Sequence, residues 1–337
     1  MTSETENKLV DRFLIYKQMS EGRSVRTVDK YRRYLILLDA FLGETSLEDA
    51  TRDQLLDFSG MHAHKEMKMT PTSRIPMVAA IRTFYAWMLK SDLIDKDPAR
   101  DIPYPKKASP LPVAMQTQNA EKILMQPDLE TFIGVRDLAI LSVLAGCGPR
   151  VSGVCRLNQS DLIFGVDDGI EFLAIRFNEK GDKERLVPAP IETLTALRMY
   201  LGHPEMDGID RNLPNGEKVL FVSTRNMRHL PCDYCGENRR IHVRSIDSMI
   251  KRYGEAAGIP REQLSAHSFR HMFGAEMAED EVNTLIMQRL LGHASPKTTE
   301  IYSHIAMRRL RSVVQRSNPL GKINTPVSEL IKMLKGR

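Results

Sequence analysis

Three short runs within residues 266–305 carry side chains suited to phosphate chemistry: His267-Ser-Phe-Arg270, Leu290-Leu-Gly-His293 and Thr298-Thr-Glu-Ile-Tyr302. His267 and Arg270 are three apart, so at a helix start they share a face. An imidazole beside a guanidinium makes a clamp for phosphate oxygens. His293 follows an apolar helical run and a glycine, which puts it at a helix end. Tyr302 lies nine residues further on, in what reads as a short helix after Ser295-Pro296. A tyrosine hydroxyl can attack phosphorus and form a covalent ester when nearby cations hold the developing charge. Two more cations lie upstream. Arg150 closes Ala145-Gly-Cys-Gly-Pro-Arg-Val-Ser152, just past the end of an apolar helix. Lys180 falls in the turn Glu179-Lys-Gly-Asp182, from which a long side chain can reach a cleft and give a proton to a leaving alkoxide. Singly, each of these residues has an ordinary reading: a surface lysine, a helix-end arginine, a half-buried aromatic. Their joint occurrence points to phosphoryl chemistry.

The elements that position them can be read from periodicity. Pro103, Pro105, Pro110 and Pro112 fall within residues 103–113 and predict an extended, stiff connector with Lys106 and Lys107 at its middle. Before it, Lys8–Met19, Val25–Leu42, Thr51–Met67 and Thr72–Leu89 read as four helices. Val28, Tyr31, Leu35, Leu38 and Phe41 recur at helical spacing in the second. Thr51-Arg-Asp-Gln54 has the form of a capping box opening the third. Pro76 predicts a late start or a kink in the fourth. Trp87, beside Phe84, Tyr85 and Met88, reads as core. After the connector, Thr131–Gly146 reads as an apolar helix. Glu171–Asn178 and Glu184–Pro188 read as strands joined by the Lys180 turn, where Gly181 can take a positive φ. Val219–Val222 is a candidate third strand. From His242 onward the pattern is helical.

The bulk properties bound the answer. A chain of 337 residues, 42% hydrophobic and 27% charged, is long enough for one large or two ordinary cores. Its mean hydropathy of −0.31 is that of a folded, water-facing protein. The net charge of +5 is compatible with a nucleic-acid partner without demonstrating one. The distribution says more. Arg23, Arg26, Lys30, Arg32 and Arg33 stand against Asp29 alone within residues 22–34, and eight Lys or Arg stand against Glu329 from Arg308 onward. Each cluster alone is a solvated face, but the pair suits a protein that grips phosphates near both ends of its chain. Cys147, Cys155, Cys232 and Cys235 are too few for a disulfide scaffold. With no secretory pattern at the start and no run of membrane-spanning length, the expected location is cytoplasmic, with no membrane partner.

Arg150, Lys180, His267, Arg270, His293 and Tyr302 appear in the order used by the tyrosine recombinase (phage-integrase) family, and the local contexts match. Asn178-Glu-Lys-Gly-Asp-Lys-Glu-Arg-Leu-Val-Pro188 is similar to the hairpin of the Xer recombinases, and residues 290–302 resemble the family's final signature. The resemblance runs from about residue 8 to 318. It implies a fold that is mainly α with a small antiparallel β-sheet in the catalytic domain, arranged as a two-domain DNA clamp. The implied divisions are a helical core-binding (SAM-like) domain at 1–102, the linker at 103–113, a catalytic domain at 114–320 and a tail helix at 321–337. It also implies site-specific breakage and rejoining of duplex DNA through a 3′-phosphotyrosyl bond to Tyr302. Arg150, Arg270 and His293 would hold the phosphate, Lys180 would act as general acid and His267 as base. No cofactor, metal or ATP is implied, and the working complex would be a homotetramer on two DNA sites. Two positions depart from the family pattern. Gly153 stands where an acidic residue is common, which weakens the expectation of an orienting carboxylate, and Pro149 stands where an apolar residue is usual.

Other features stay open at this level. Residues 202–240 are longer than a minimal Xer-like chain needs and hold His229-x2-Cys232-x2-Cys235-x6-His242. The Cys pair has zinc-ligand spacing. A second pair is missing and the histidine spacing is not that of a finger, so an exposed loop with incidental thiols is the favoured reading. Thr27, Lys30 and Arg74, with Lys106 and Lys107, are the expected DNA contacts. Thr325–Leu334 reads as an amphipathic helix able to dock on its own chain or on a neighbouring protomer. Rival functions are a type IB topoisomerase-like nicking-closing enzyme and a catalytically silent DNA-binding regulator; a zinc-dependent binding module would leave residues 266–302 unexplained.

Overall fold

The computed structural model describes residues 3–106, 115–167, 169–179, 183–226, 229–292 and 303–335. The chain divides into two compact units, Met1–Leu111 and Pro112–Arg337, each with its own apolar core.

The first unit is helical. α1 (Ser3–Ile15) runs into a π-helical turn at Tyr16–Ser20. α2 spans Val25–Leu42 and α3 spans Arg52–Asp57. A second π turn at Phe58–His62 leads to the single turn α4 (Ala63–Lys65), and α5 spans Pro71–Lys90. Thr51 and Gln54 form the expected capping box, each side chain accepting from the other's backbone N–H. The expected helix Thr51–Met67 is therefore broken by a π turn. Ser59 lies in that turn, is buried, and its hydroxyl donates to the Leu55 carbonyl at 2.7 Å. Such a bond competes with the regular ladder. α5 starts at Pro71, where a missing N–H costs nothing, with Thr70 as its cap. The helix continues through Pro76. Phe13, Phe84 and Trp87 pack together around the core, with Phe13–Phe84 ring centroids 5.2 Å apart.

The second unit opens with α6 (Thr117–Leu124) and α7 (Phe132–Cys147). Every residue of α7 except Ile133 is buried, because α9, α11 and β3 pack around it. At about 1.5–3 kcal/mol for each large apolar side chain removed from water, this helix is the main anchor of the unit. It ends on Gly148, whose φ of +56° is the left-handed cap that glycine tolerates best. α8 spans Val151–Arg156. A three-stranded antiparallel sheet follows, in the order β1 (Leu162–Asp167), β2 (Ile170–Glu179), β3 (Lys183–Ala189). Phe177 pairs with Arg185 across β2 and β3, and Glu179 with Lys183. α9 covers Ile191–Leu201, α10 Val243–Ala256, α11 Ala266–Glu279, α12 Thr284–Leu291, α13 Ser303–Ser317 and α14 Pro326–Lys335. α14 packs on α9 of its own chain, and Val327 is buried in the core of the unit.

The third strand is not Val219–Val222. It is β1, at the edge of the sheet beside β2. Residues 219–222 make isolated bridges only, Val219 with Asn158 and Val222 with Arg240. Their backbone groups are taken by scattered partners instead: the Val219 N–H donates to the Arg211 carbonyl and the Leu220 N–H to the Leu157 carbonyl, both at 3.0 Å, and side chains take others. The Tyr200 hydroxyl donates to the Leu220 carbonyl at 3.0 Å and accepts from the Val222 N–H at 3.1 Å, and Arg136 donates to the Val222 carbonyl at 3.0 Å. A segment whose donors and acceptors are already satisfied in this way has little left for a ladder.

Candidate active site

The site is built where two helix ends meet in the second unit. α7 stops at Gly148, and two residues later Arg150 caps the start of α8 with its side chain exposed. α12 stops at Gly292, also left-handed at φ +66°, immediately before His293 in the chain. α11 crosses both ends. Its Arg270 is buried and donates to the Gly148 carbonyl at 2.8 Å and to the Leu291 carbonyl. One guanidinium therefore ties the approach to Arg150 to the approach to His293. The planar fork of arginine is what allows it to reach two carbonyls in fixed directions.

His267 lies on the first turn of α11, capped by Ser265, whose side chain accepts from the Ser268 N–H. The imidazole is exposed, and its ring meets that of His271 edge-on with centroids 4.3 Å apart. Partial desolvation, then the charges of His271, Arg270 and Arg150, hold its pKa below the ordinary 6.5. It is therefore a neutral base near pH 7. Burial first, then the charges of Arg185 and Arg150, push the pKa of Arg270 down to about 10. Arg270 is still cationic at neutral pH. The mutual repulsion of these groups is what a bound anion would relieve.

Arg185 was not among the residues singled out by type and spacing. It lies on β3, is buried, and donates to the Leu290 carbonyl at the end of α12. Its guanidinium carbon is 5.0 Å from the centre of the Phe177 ring. Burial and the charge of Arg150 lower its pKa to about 10, against an opposing contribution from Cys147. A signal for it did exist. Strand alternation puts Arg185 on the inward face with Val187, an unusual place for a cation.

Thus Arg150, His267 and Arg270 are brought together, and Arg185 joins them. Lys180, His293 and Tyr302 lie outside the described residues, as does Lys107. Thr27 is half-buried near the start of α2, where its hydroxyl is 2.9 Å from that of Ser24; Lys30 and Lys106 are exposed. Arg74 turns towards its own unit and donates to the Gly60 carbonyl at 3.2 Å. Among the described residues no group of three or more His, Cys, Asp or Glu is placed to hold a metal. Cys232 is exposed, and His229 stacks on Tyr234 with ring centroids 6.4 Å apart. Among the described residues no helix is long and apolar enough to cross a membrane.

Comparison with known proteins fits this arrangement. The model of the phage integrase family matches residues 114–309, and that of the phage integrase N-terminal SAM-like domain matches residues 10–91. The chain belongs to the phage integrase family. It is 33% identical over 322 residues to tyrosine recombinase XerD of Pseudomonas putida, covering 94% of this chain and 99% of that one. It is 27% identical to tyrosine recombinase XerC of Thermodesulfovibrio yellowstonii, over 93% of this chain and 97% of that one. The fold resembles the crystal structure of XerH site-specific recombinase bound to palindromic difH substrate in a post-cleavage complex. That match has a TM-score of 0.66 at 18% identity, over 93% and 96% of the two chains. It also resembles a lambda integrase tetramer bound to a Holliday junction, with a TM-score of 0.61 at 16% identity, over 88% and 80%. The protein is a tyrosine recombinase of Xer type, from a family that cleaves and rejoins DNA through a tyrosine nucleophile. Gly153, where an acidic residue is common in the family, is buried in α8, and a side chain there would meet the Phe177 ring at 3.6 Å from its Cβ.

Proposed function

We propose that Tyr302 is the nucleophile of this recombinase and that its substrate is a specific site in duplex DNA. The tyrosine oxygen forms a bond to the scissile phosphorus, and the bond from phosphorus to the 5′ oxygen breaks. Lys180 gives the departing oxygen its proton, and His267 takes the proton of the phenol. Arg150, Arg270 and His293 hold the non-bridging oxygens while charge builds on them. The energy of the phosphodiester stays in the 3′-phosphotyrosyl bond, and attack by a 5′-hydroxyl of another strand reverses the chemistry. Rejoining in a new partner therefore balances without an added energy source.

The observation that carries this reading is the gathering of Arg150, His267 and Arg270 by two helix ends that lead, in the chain, to the remaining members of the set. The neutral, exposed His267 is suited to accept a proton, and the guanidiniums are suited to an anion. The helical unit supplies further cations, with Thr27, Lys30, Arg74, Lys106 and Lys107 as the proposed DNA contacts. We assign residues 1–102 to DNA gripping, 103–113 to a linker, 114–320 to catalysis and 321–337 to the tail. We also propose a homotetramer on two DNA sites, working in the cytoplasm; a lambda integrase of similar fold forms a tetramer on a Holliday junction, which supports the assembly.

A nicked suicide duplex carrying the recombination site, selected from a random-sequence pool, tests the proposal. Wild-type protein is expected to give a covalent adduct on a denaturing gel, and Tyr302→Phe none. An adduct that persists in Tyr302→Phe overturns the nucleophile assignment.

A further inference from the structure

We propose that Arg185 is a positioning residue of the recombination reaction, fastening the strands that flank Lys180 to the end of α12 that leads into His293. The proposal rests on the reading of Lys180 as the general acid.

Three observations support it. First, Arg185 is the third residue of β3, and Lys183 at the start of that strand pairs with Glu179, the last residue of β2. Whatever holds Arg185 holds the base of the connection that carries Lys180. Second, the Arg185 guanidinium donates to the Leu290 carbonyl while Arg270 donates to the adjacent Leu291 carbonyl. The last turn of α12 is thus held by one arginine from the sheet and one from α11. Without these donors the final carbonyls of a helix look for water or other partners. Third, burying a guanidinium at an inward strand position is costly where Val187, next but one, fills its place with apolar surface. Local rules of this kind are broken most often where function requires it. The Phe177 ring, directly across the strand pair, supports the guanidinium from one side.

The chemistry gives a test that separates positioning from general destabilisation. A 5′ oxygen needs a proton as it leaves, whereas a 5′ sulfur leaves as a thiolate without one. Two nicked duplexes are compared, identical except for oxygen or sulfur at the bridging 5′ position. The rate of covalent adduct formation is measured for wild type, Lys180→Ala, Arg185→Met and Arg185→Lys. Methionine keeps an unbranched apolar stem but no donor; lysine keeps a charge and a single-point donor.

The expected result for Arg185→Met is a loss of about 10- to 100-fold on the oxygen duplex, the scale of a small misplacement of a reacting group. On the sulfur duplex the loss shrinks to within about threefold, since no proton is needed there and Arg270 still holds the end of α12 that leads to His293. Arg185→Lys recovers part of the oxygen rate and remains informative if Arg185→Met folds poorly. An equal loss on both duplexes, for whichever variant is folded by its urea midpoint, overturns the proposal, as does a wild-type oxygen rate in both variants. Lys180→Ala is the control. If sulfur does not restore it, the general-acid reading fails, and the proposal for Arg185 falls with it. If sulfur restores Lys180→Ala but neither Arg185 variant, only the proposal for Arg185 falls.

Discussion

Arg270 donates to the backbone carbonyl of Gly148 at 2.8 Å, across 122 residues of sequence. The bond fixes the point from which the chain turns through Pro149 to Arg150. The same guanidinium donates to Leu291, so two entries to the site share one buried cation. Arg270→Lys keeps the charge but loses the fork. It is expected to lower unfolding free energy by about 1–3 kcal/mol through a buried carbonyl left unpaired. Adduct formation should fall by about 100-fold or more through weaker phosphate stabilisation. Urea titration and the suicide-duplex assay read the two effects separately.

Gly148→Ala tests the helix end itself. Gly148 has φ +56°, and a Cβ there would lie 2.5 Å from Cδ1 of Phe273. A left-handed alanine alone costs about 1–2 kcal/mol, and Phe273 is fully buried and has little room to withdraw. A destabilisation of roughly 2 kcal/mol or more is expected in urea, with a slower adduct rate at temperatures where the variant is still folded. A variant as stable and as active as wild type would contradict this account of the turn.

The pH dependence follows from His267. Its folded-state pKa is held below 6.5, so the unfolded chain binds the proton first as pH falls. Its contribution to stability is therefore complete above 6.5 and declines as pH drops through the window beneath it. Cleavage should behave in the same direction. The rate is flat near neutrality and falls on the acid side, with a midpoint below 6.5, as the base becomes protonated. His267→Gln should remove that limb, and a retained limb in this variant would point to another group.

Asp137 is a stability test away from the chemistry. Its carboxylate is fully buried and accepts from Arg136 at 2.6 Å, Arg252 at 3.0 Å and the Tyr253 hydroxyl at 2.9 Å. It fastens α7 to α10, and burial together with Asp137 pushes the Tyr253 phenol up to about 12. Asp137→Ala leaves the buried Arg136 uncompensated, and a loss of about 3–5 kcal/mol is expected. A loss of unfolding free energy in urea smaller than about one-third of that would show the network to be dispensable.

Lys30 tests the DNA-gripping role of the helical unit. It is exposed on α2 among other cations. If it neutralises one phosphate, Lys30→Ala should weaken binding to all duplex sequences alike. The slope of log affinity against log salt should become shallower by about 0.9. An unchanged slope would remove Lys30 from the contact set.

Much of the fold could be read from pattern, and the exceptions have physical causes. The capping box at Thr51, the apolar helix ending near Gly146 and the strands around the Lys180 turn all rest on local rules of hydrogen bonding and periodicity. The strand Leu162–Asp167 was missed because β1 is an edge strand with exposed Phe164 and Val166, so its alternation is weak. Asp168-Gly169, a turn dipeptide, was the available signal, and Gly169 does take φ +75°. The π turns at Tyr16–Ser20 and Phe58–His62 carry no such local signature: Lys17 pairs with Glu21 and Ser59 with the Leu55 carbonyl at the ordinary helical spacing of four.

The sequence by itself named the candidates for chemistry in this protein: side chains suited to a phosphate, in the order the family uses, with a tyrosine suited to attack and a lysine suited to give a proton. Those assignments depend on residue type and local context, which a linear chain carries in full. Only the tertiary structure decided how the set is held. Arg185 and Arg270 are surface residues by composition; packing of α7, α11, α12 and β3 buries them and turns their donors onto the carbonyls of Gly148, Leu290 and Leu291. Such bonds join residues about a hundred positions apart or cross between helices. They exist only because burial removes the competing water, and no local pattern records that.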